Sequence, residues 1–157
     1  MRRKDRAVTD TEQIRSILDN IKTCRLAMVD DGRPYVIPLS YGYTLSEKAL
    51  TVYFHSAKSG RKIDVLKKSP SVCMEISTEG EPNFSGGNAC EYGLYYSGII
   101  AFGNAEFVYD YEEKNVALKL ITKHQSGVET SFTEAQTETV AVLKVQTTDF
   151  TAKAKSG

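Results

Sequence analysis

The chain has 157 residues, 41% hydrophobic and 25% charged, which excludes a disordered or collagen-like protein and suits one domain over residues 1–157. Lys and Arg together number 20 and so do Asp and Glu, so we expect neither a general nucleic-acid binder nor an anionic-membrane binder. Any anion that the protein binds must be held by a local basic cluster.

The sequence lacks the run of about 18 apolar residues that a membrane helix needs, and no apolar segment follows its basic start at residues 2–6. We therefore expect neither a membrane span nor a secretory signal. The three cysteines are widely spaced and form no CxxC pair, so a metal site is not expected. Free thiols in a cytoplasmic protein are the simplest interpretation.

The first part of the chain predicts one helix followed by strands. Apolar residues at three- and four-residue spacing behind Asp10, which can cap a helix, predict a helix over residues 11–21. Asp31-Gly32 between two apolar runs is a strong hairpin signal, because both positions of such a turn must tolerate positive φ. Asp30 is assigned to the same turn. The strands expected here span residues 24–29, 34–43 and 49–55.

The rest of the chain predicts two helices, over residues 59–68 and 110–124, and strands over residues 72–77, 95–108 and 139–145. A polar, glycine-rich loop over residues 79–93 lies between two of these strands. Hairpins and antiparallel neighbours dominate this order, so we expect a β-barrel with peripheral helices rather than a doubly wound parallel sheet.

Basic residues begin the helix expected at residue 59. Acidic residues stabilise a helix N-terminus, yet this sequence places Lys58, Arg61 and Lys62 there. Basic residues at this position are explained if they and the free N–H groups bind an anion such as phosphate. Gly60 would let the anion approach the backbone closely. The alternative is a solvated basic helix start with Ser59 as an ordinary N-cap. Neither the P-loop nor the GxGxxG pattern is present.

The two strands nearest this turn carry further candidates. Alternation places Tyr53 and His55 on the face of their strand that is opposite the core. Pro38 cannot donate to a sheet ladder, so it indicates an edge, a bulge or backbone that faces a ligand. A kink at a barrel corner is the alternative for Pro38. His124 comes at the end of a predicted helix, where an imidazole stabilises the last turn.

Taken together, these segments resemble the pyridoxamine 5′-phosphate oxidase-like flavoproteins, and among them the 5-nitroimidazole-resistance (Nim-type) proteins. The resemblance rests on Gly32-x-Pro34-Tyr35-x-x-Pro38-Leu39, Tyr53-Phe54-His55-Ser56-Ala57-x-x-Gly60-Arg61-Lys62 and Ile99-Ile100-Ala101-Phe102-Gly103. It implies a mainly β (α+β) fold, a six-stranded antiparallel split β-barrel of the FMN-binding type. It also implies a homodimer with FMN, or in some members FAD, at the subunit interface.

The resemblance also implies where the cofactor binds. The flavin phosphate is expected at Lys58, Arg61 and Lys62. The strand around Ser97 is expected in the dimer interface, reaching the partner's flavin, and the loop over residues 79–93 is expected to shape the substrate mouth. The other residues expected to bind the cofactor are Ile37, Pro38, Leu39, Ser40, Tyr53, His55, Ser56 and Ala57.

The activity implied by the resemblance is that of a flavin-dependent oxidoreductase. It would take electrons from a nicotinamide donor and reduce a small planar acceptor, such as a nitroimidazole or another nitroaromatic. His55 is the candidate catalytic residue, as a proton donor or hydrogen-bond partner of the substrate. The alternative is a non-catalytic flavin carrier or sensor. A third option is a related split barrel that uses a deazaflavin or binds haem through His55 or His124.

Overall fold

The structure is a computed structural model, and it describes residues 3–78, 80–84, 87–88, 90 and 92–155. Five residues of the expected loop over 79–93 therefore lie outside the described residues. Within the described part, ten strands pair antiparallel with their neighbours. The strands are β1 (Ala7–Val8), β2 (Thr23–Asp30), β3 (Arg33–Ser40), β4 (Gly42–Leu45), β5 (Leu50–Ser56), β6 (Ser71–Ser77), β7 (Glu81–Asn83), β8 (Gly93–Val108), β9 (Ala141–Thr147) and β10 (Phe150–Lys155).

Helices pack around this sheet. A 3-10 turn at Lys4–Arg6 precedes β1, and four α-helices follow along the described chain. None of them is long and apolar enough to cross a membrane. The helices are α1 (Thr11–Asn20), α2 (Arg61–Lys68), α3 (Tyr111–Ser126) and α4 (Glu134–Thr137).

The 16-residue strand β8 holds the two halves of the sheet together. It pairs with β6 along one edge, from Gly98 to Asn104, and with β10 and then β9 along the other. The order through the sheet is β3-β2-β6-β8-β9-β5-β4. In the described residues β3 and β4 each pair with a single neighbour, so the sheet stays open between its two ends. The expected antiparallel split-barrel class is confirmed, with ten strands in place of six.

Two apolar clusters lie on opposite faces of β5. Val52 and Phe54 belong to the main core, which the apolar stripe of α1 closes. Tyr53 points the other way, into a smaller cluster beneath α3. The alternation predicted for this strand is therefore present, and α3 covers its second face. The stripe residues of α1 are Ile14, Ile17, Leu18 and Ile21, all buried as expected.

The strand expected over residues 34–43 is wrong in one respect, because it breaks at Tyr41 into β3 and β4. Tyr41 is fully buried, and its hydroxyl lies 2.9 Å from the carbonyl oxygen of Leu18 and 2.8 Å from that of Ile21. Gly42 then lies against the backbone of α3, where a Cβ atom would be 2.5 Å from the carbonyl carbon of Leu120. These two contacts direct β4 towards β5 and leave β3 as a free edge.

The last strand of the sheet was not expected. Residues 139–145 were predicted as the final strand, which is β9, and β10 follows it and pairs with both β8 and β1. In β10 Phe150, Ala152 and Ala154 alternate with polar residues, but only Ala152 is buried, and alanine is a weak strand former, so the signal is easily missed. It pairs with the edge of β8 opposite β6, from Tyr96 to Ala101.

Candidate functional site

An open groove of about 590 Å³ lies between the free edge of β3 and the junction of β5 with α2. The groove occupies the opening left because β3 and β5 do not pair. Tyr35, Ser59, Gly60 and Val140 also contribute to its wall. Most of the residues expected to bind a cofactor line it, namely Ile37, Pro38, Leu39, His55, Ser56, Ala57, Arg61 and Lys62.

The β3 side of the groove is a strand edge that no other described strand pairs with. Pro34 and Pro38 lie opposite Val29 and Arg25 of β2 in the register. Since a proline has no N–H to give to a ladder, both are suited to an edge strand. Of the explanations considered for Pro38, the edge is therefore the one observed. The side chains of Ile37 and Leu39 are half-buried and give this wall an apolar surface.

The opposite end of the groove is the N-terminus of α2, which lacks a side-chain cap. Its N-cap is Gly60, with φ of 120°, and no side chain among the described residues caps it with a hydrogen bond. The helix therefore begins at Arg61, two residues later than expected, and Ser59 is not its cap. The helices α1, α3 and α4, by contrast, are capped by Asp10, Asp110 and Thr133. The first N–H groups of α2 are left for solvent or a ligand.

Arg61 is held in place by two neighbours that the sequence did not suggest. Its Nε donates to a carboxylate oxygen of Asp30 at 2.8 Å, and its guanidinium carbon lies 4.5 Å from the centre of the Tyr35 ring. Asp30 had been assigned only to the β2–β3 turn. Because the ion pair uses Nε, the two terminal nitrogens keep their N–H groups for a further acceptor. Two oxygens of a phosphate group suit that arrangement.

Lys62 and His55 lie near each other on the same wall. Burial lowers the pKa of Lys62 below its usual range. Partial loss of hydration lowers the pKa of His55, and the charge of Lys62 lowers it further. The imidazole of His55 is therefore neutral near pH 7, with one nitrogen able to donate a hydrogen bond and the other able to accept one.

Four of the expected cofactor-binding residues lie outside the groove. Tyr53 is buried beneath α3, which covers the outer face of β5 only as far as that residue and leaves His55 exposed. Lys58 forms an ion pair of 3.5 Å with Glu138, on the far side of Val140. Ser40 ends β3 opposite Thr23, and Ser97 lies on β8 beside Thr78.

His124 lies near the end of α3, as expected, and its ring contacts Ile21 and Tyr41. The Nε2 atom is 3.0 Å from the carbonyl oxygen of Ile21, and the ring centre is 4.5 Å from that of Tyr41. Burial lowers the pKa of His124, and the hydrogen bond to Ile21 partly opposes this. The residue therefore joins α3 to the end of α1 and lies apart from the groove.

The chain is similar to a known protein family and to several solved structures. A family model described as pyridoxamine 5′-phosphate oxidase matches residues 10–154. No curated protein matches the chain. Among solved structures, a candidate 5-nitroimidazole antibiotic resistance protein from Bacteroides thetaiotaomicron is 30% identical, with a TM-score of 0.80 over 94% of this chain and 85% of that one.

Two more distant structures share the fold alone. The flavocytochrome Anf3 from Azotobacter vinelandii is 19% identical, with a TM-score of 0.79 over 100% of this chain and 72% of that one. A FAD and heme binding protein from Mycobacterium smegmatis is 17% identical, with a TM-score of 0.78 over 97% of this chain and 74% of that one.

The effect of the Lys62 charge on the pKa of His55 can be measured directly. In a Lys62→Gln variant the pKa of His55 should rise towards its ordinary value, because a positive charge that opposes the imidazolium is removed. NMR titration of the imidazole C–H signals measures this, and only two histidines are present. His124 serves as the internal reference and Lys68→Gln, on the same helix, as the control. An unmoved His55 titration would contradict this effect of the Lys62 charge.

Proposed function

The chain belongs to the pyridoxamine 5′-phosphate oxidase family, and we propose that it is an oxidoreductase that binds a flavin in the groove between β3 and α2. The observation that carries this proposal is the uncapped, basic N-terminus of α2 at the end of that groove. A flavin nucleotide has a phosphate at one end and a flat, largely apolar ring system at the other. The groove offers matching surfaces for both.

The residues of the groove divide between these two ends. The N–H groups of the first turn of α2, together with Arg61 and Lys62, would hold the phosphate. The edge of β3, with Ile37, Pro38 and Leu39, would lie along the ring system. When bound, the flavin supplies hydride or single-electron transfer that no protein side chain can provide.

His55 is the residue that we assign to the chemistry of the acceptor. Its side chain is exposed on the groove wall. As a neutral imidazole it can donate one hydrogen bond to an oxygen of a bound acceptor, and it can pass on that proton when its second nitrogen takes up another from solvent. A nicotinamide donor would supply the electrons, and the acceptor would be a small planar molecule of the nitroimidazole or nitroaromatic type.

The phosphate assignment predicts a loss of flavin affinity. Arg61→Ala and Lys62→Ala should each weaken FMN binding by about 1.5–3 kcal/mol, the usual contribution of a charge-assisted hydrogen bond. That corresponds to roughly tenfold or more in Kd. Quenching of flavin fluorescence on titration measures it. Lys68→Ala, which removes the same charge from the last turn of α2, is the matched control. Unchanged affinity in both variants would place the phosphate elsewhere.

The role of His55 predicts a separate effect on turnover. His55→Ala should lower the rate of nicotinamide consumption with a nitroaromatic acceptor at saturation, because the proton or hydrogen bond to the acceptor is lost. FMN affinity should stay the same, and His55→Gln should restore part of the rate. His124→Gln is the control outside the groove. Full turnover in His55→Ala would remove this role. A protein that binds flavin but consumes no nicotinamide would favour a carrier or sensor.

We also propose that two copies of the chain form a homodimer through the outer face of β3, β2, β6 and β8. A continuous row crosses this face, with Val36, Ala27, Cys73 and Phe102 in register. The side chain of Phe102 is 51% exposed and that of Val36 54% exposed. An exposed apolar surface of this kind marks a protein interface. Because Val36 and Pro38 share β3, such a dimer would bring a partner to the edge of the groove.

The dimer predicts that a charge on this face changes the molecular mass in solution. Phe102→Glu should convert a dimer into a monomer, because two carboxylates would be desolvated at a self-complementary interface. Light scattering coupled to size-exclusion chromatography measures the mass. Val116→Glu is the control, since Val116 is 50% exposed on α3, away from the sheet face. A monomeric wild-type protein, or a Phe102→Glu dimer, would disprove this interface.

A further inference from the structure

Asp30 and Tyr35 contact Arg61 from the opposite side of the groove, and neither has a role in the function proposed above. Asp30 is the last residue of β2 and Tyr35 the third residue of β3, whereas Arg61 is the first residue of α2. The ion pair and the ring contact are therefore made between the β2–β3 hairpin and the helix that would bind the phosphate.

The hairpin is the fixed partner in these contacts. The side chain of Asp30 is 19% exposed, against 59% for that of Arg61, and Tyr35 packs against the main core. The strand register places Arg33 opposite Asp30, yet the carboxylate accepts its hydrogen bond from Arg61. The guanidinium is therefore the group that is positioned, and the carboxylate and the tyrosine ring position it.

An arginine at the start of a helix needs such neighbours to stay near the first turn. The helix N-terminus carries a partial positive charge, which repels a guanidinium, and a long exposed side chain has many rotamers open to it. Without Asp30 and Tyr35, the Arg61 side chain would turn towards solvent and away from the free N–H groups of α2. An acceptor on its Nε and a ring at its guanidinium oppose both effects.

The same contacts set the distance between the phosphate and the apolar wall of the groove. Tyr35, Ile37 and Leu39 share the half-buried face of β3. Because each residue of a strand rises about 3.3 Å, Ile37 and Leu39 lie roughly 7 and 13 Å along β3 from Tyr35. A guanidinium held at Tyr35 would place the phosphate at one end of this face and leave the rest of it for the ring system.

We propose that Asp30 and Tyr35 are positioning residues for the flavin phosphate, and that they act through Arg61. The inference rests on the proposed function, since it concerns the phosphate end of the same groove. A carboxylate near an anion site repels the anion, so charge alone predicts that the loss of Asp30 tightens binding. Because Asp30 orders Arg61 before the ligand arrives, its loss should weaken binding instead.

The test compares FMN with riboflavin, which has the same ring system and no phosphate. Quenching of flavin fluorescence gives both dissociation constants, and their ratio measures the contribution of the phosphate. FMN should bind to the wild-type protein at least tenfold more tightly than riboflavin. Asp30→Ala and Tyr35→Leu should each lower this preference at least threefold, and Tyr35→Phe, which keeps the ring, should preserve it. A general loss of packing would weaken both ligands alike and leave the ratio unchanged.

Two further variants show whether Asp30 acts through Arg61. Asp31→Asn removes a charge from the same turn, but Asp31 pairs with Lys68 at 3.9 Å, so the ratio should stay the same. In an Arg61→Ala protein, Asp30→Ala should no longer weaken FMN binding, because the group that it positions is absent. A further loss of FMN affinity in that double variant would overturn the inference.

The outcomes separate this inference from the proposed function. If Arg61→Ala weakens FMN binding while Asp30→Ala and Tyr35→Leu keep or raise the preference for FMN, these neighbours do not position the guanidinium, and the proposed function stands. Equal losses of FMN and riboflavin affinity would give both residues a structural role only and would also overturn the inference. If the wild-type protein binds neither flavin, both proposals fail.

Discussion

The groove depends on the buried, hydrogen-bonded position of Tyr41. A continuous strand from β3 into β4 would let β3 close against β5 and fill the space between them. The hydroxyl of Tyr41 instead finds acceptors at the end of α1, at Leu18 and Ile21, and Gly42 packs against α3. A buried tyrosine hydroxyl without acceptors would be costly, so this position is strongly determined. The opening between β3 and β5 is thus maintained by the core.

Local chemistry was enough to predict several features of the fold. The turn between β2 and β3 was predicted because Asp31 and Gly32 tolerate positive φ, and their angles are 49° and 83°. The first helix was predicted from its stripe and its cap, and Asp10 accepts from the backbone N–H of Gln13 at 2.9 Å. Pro38 indicated an edge because proline lacks an N–H. In each case the signal and the structure involve residues a few positions apart.

Several of the features that sequence reasoning missed depend on contacts between distant segments. The break at Tyr41 follows from acceptors about twenty positions earlier, and an unbroken β-prone run gives no sign of it. Alternation placed Tyr53 and His55 on one face correctly, but only packing decides that α3 covers the first and leaves the second exposed. Asp30 carried a turn signal, and nothing in the sequence linked it to Arg61. Helix length, strand register and cavity walls are tertiary properties.

Two carboxylates organise the basic groups around the start of α2. Asp30 holds Arg61 at the end of the groove, and Glu138 holds Lys58 and Lys114 on the other side of Val140. The side chains of Lys58 and Arg61 are more than half exposed, so their ion pairs add little to stability and act mainly on geometry. Each carboxylate engages only part of its partner's hydrogen-bonding capacity and fixes the direction of the rest. A ligand anion therefore meets cations whose side chains are already ordered, and less conformational entropy is lost on binding. The chain has no net charge. Ordered local cations therefore allow it to bind an anion strongly although its surface as a whole is not basic.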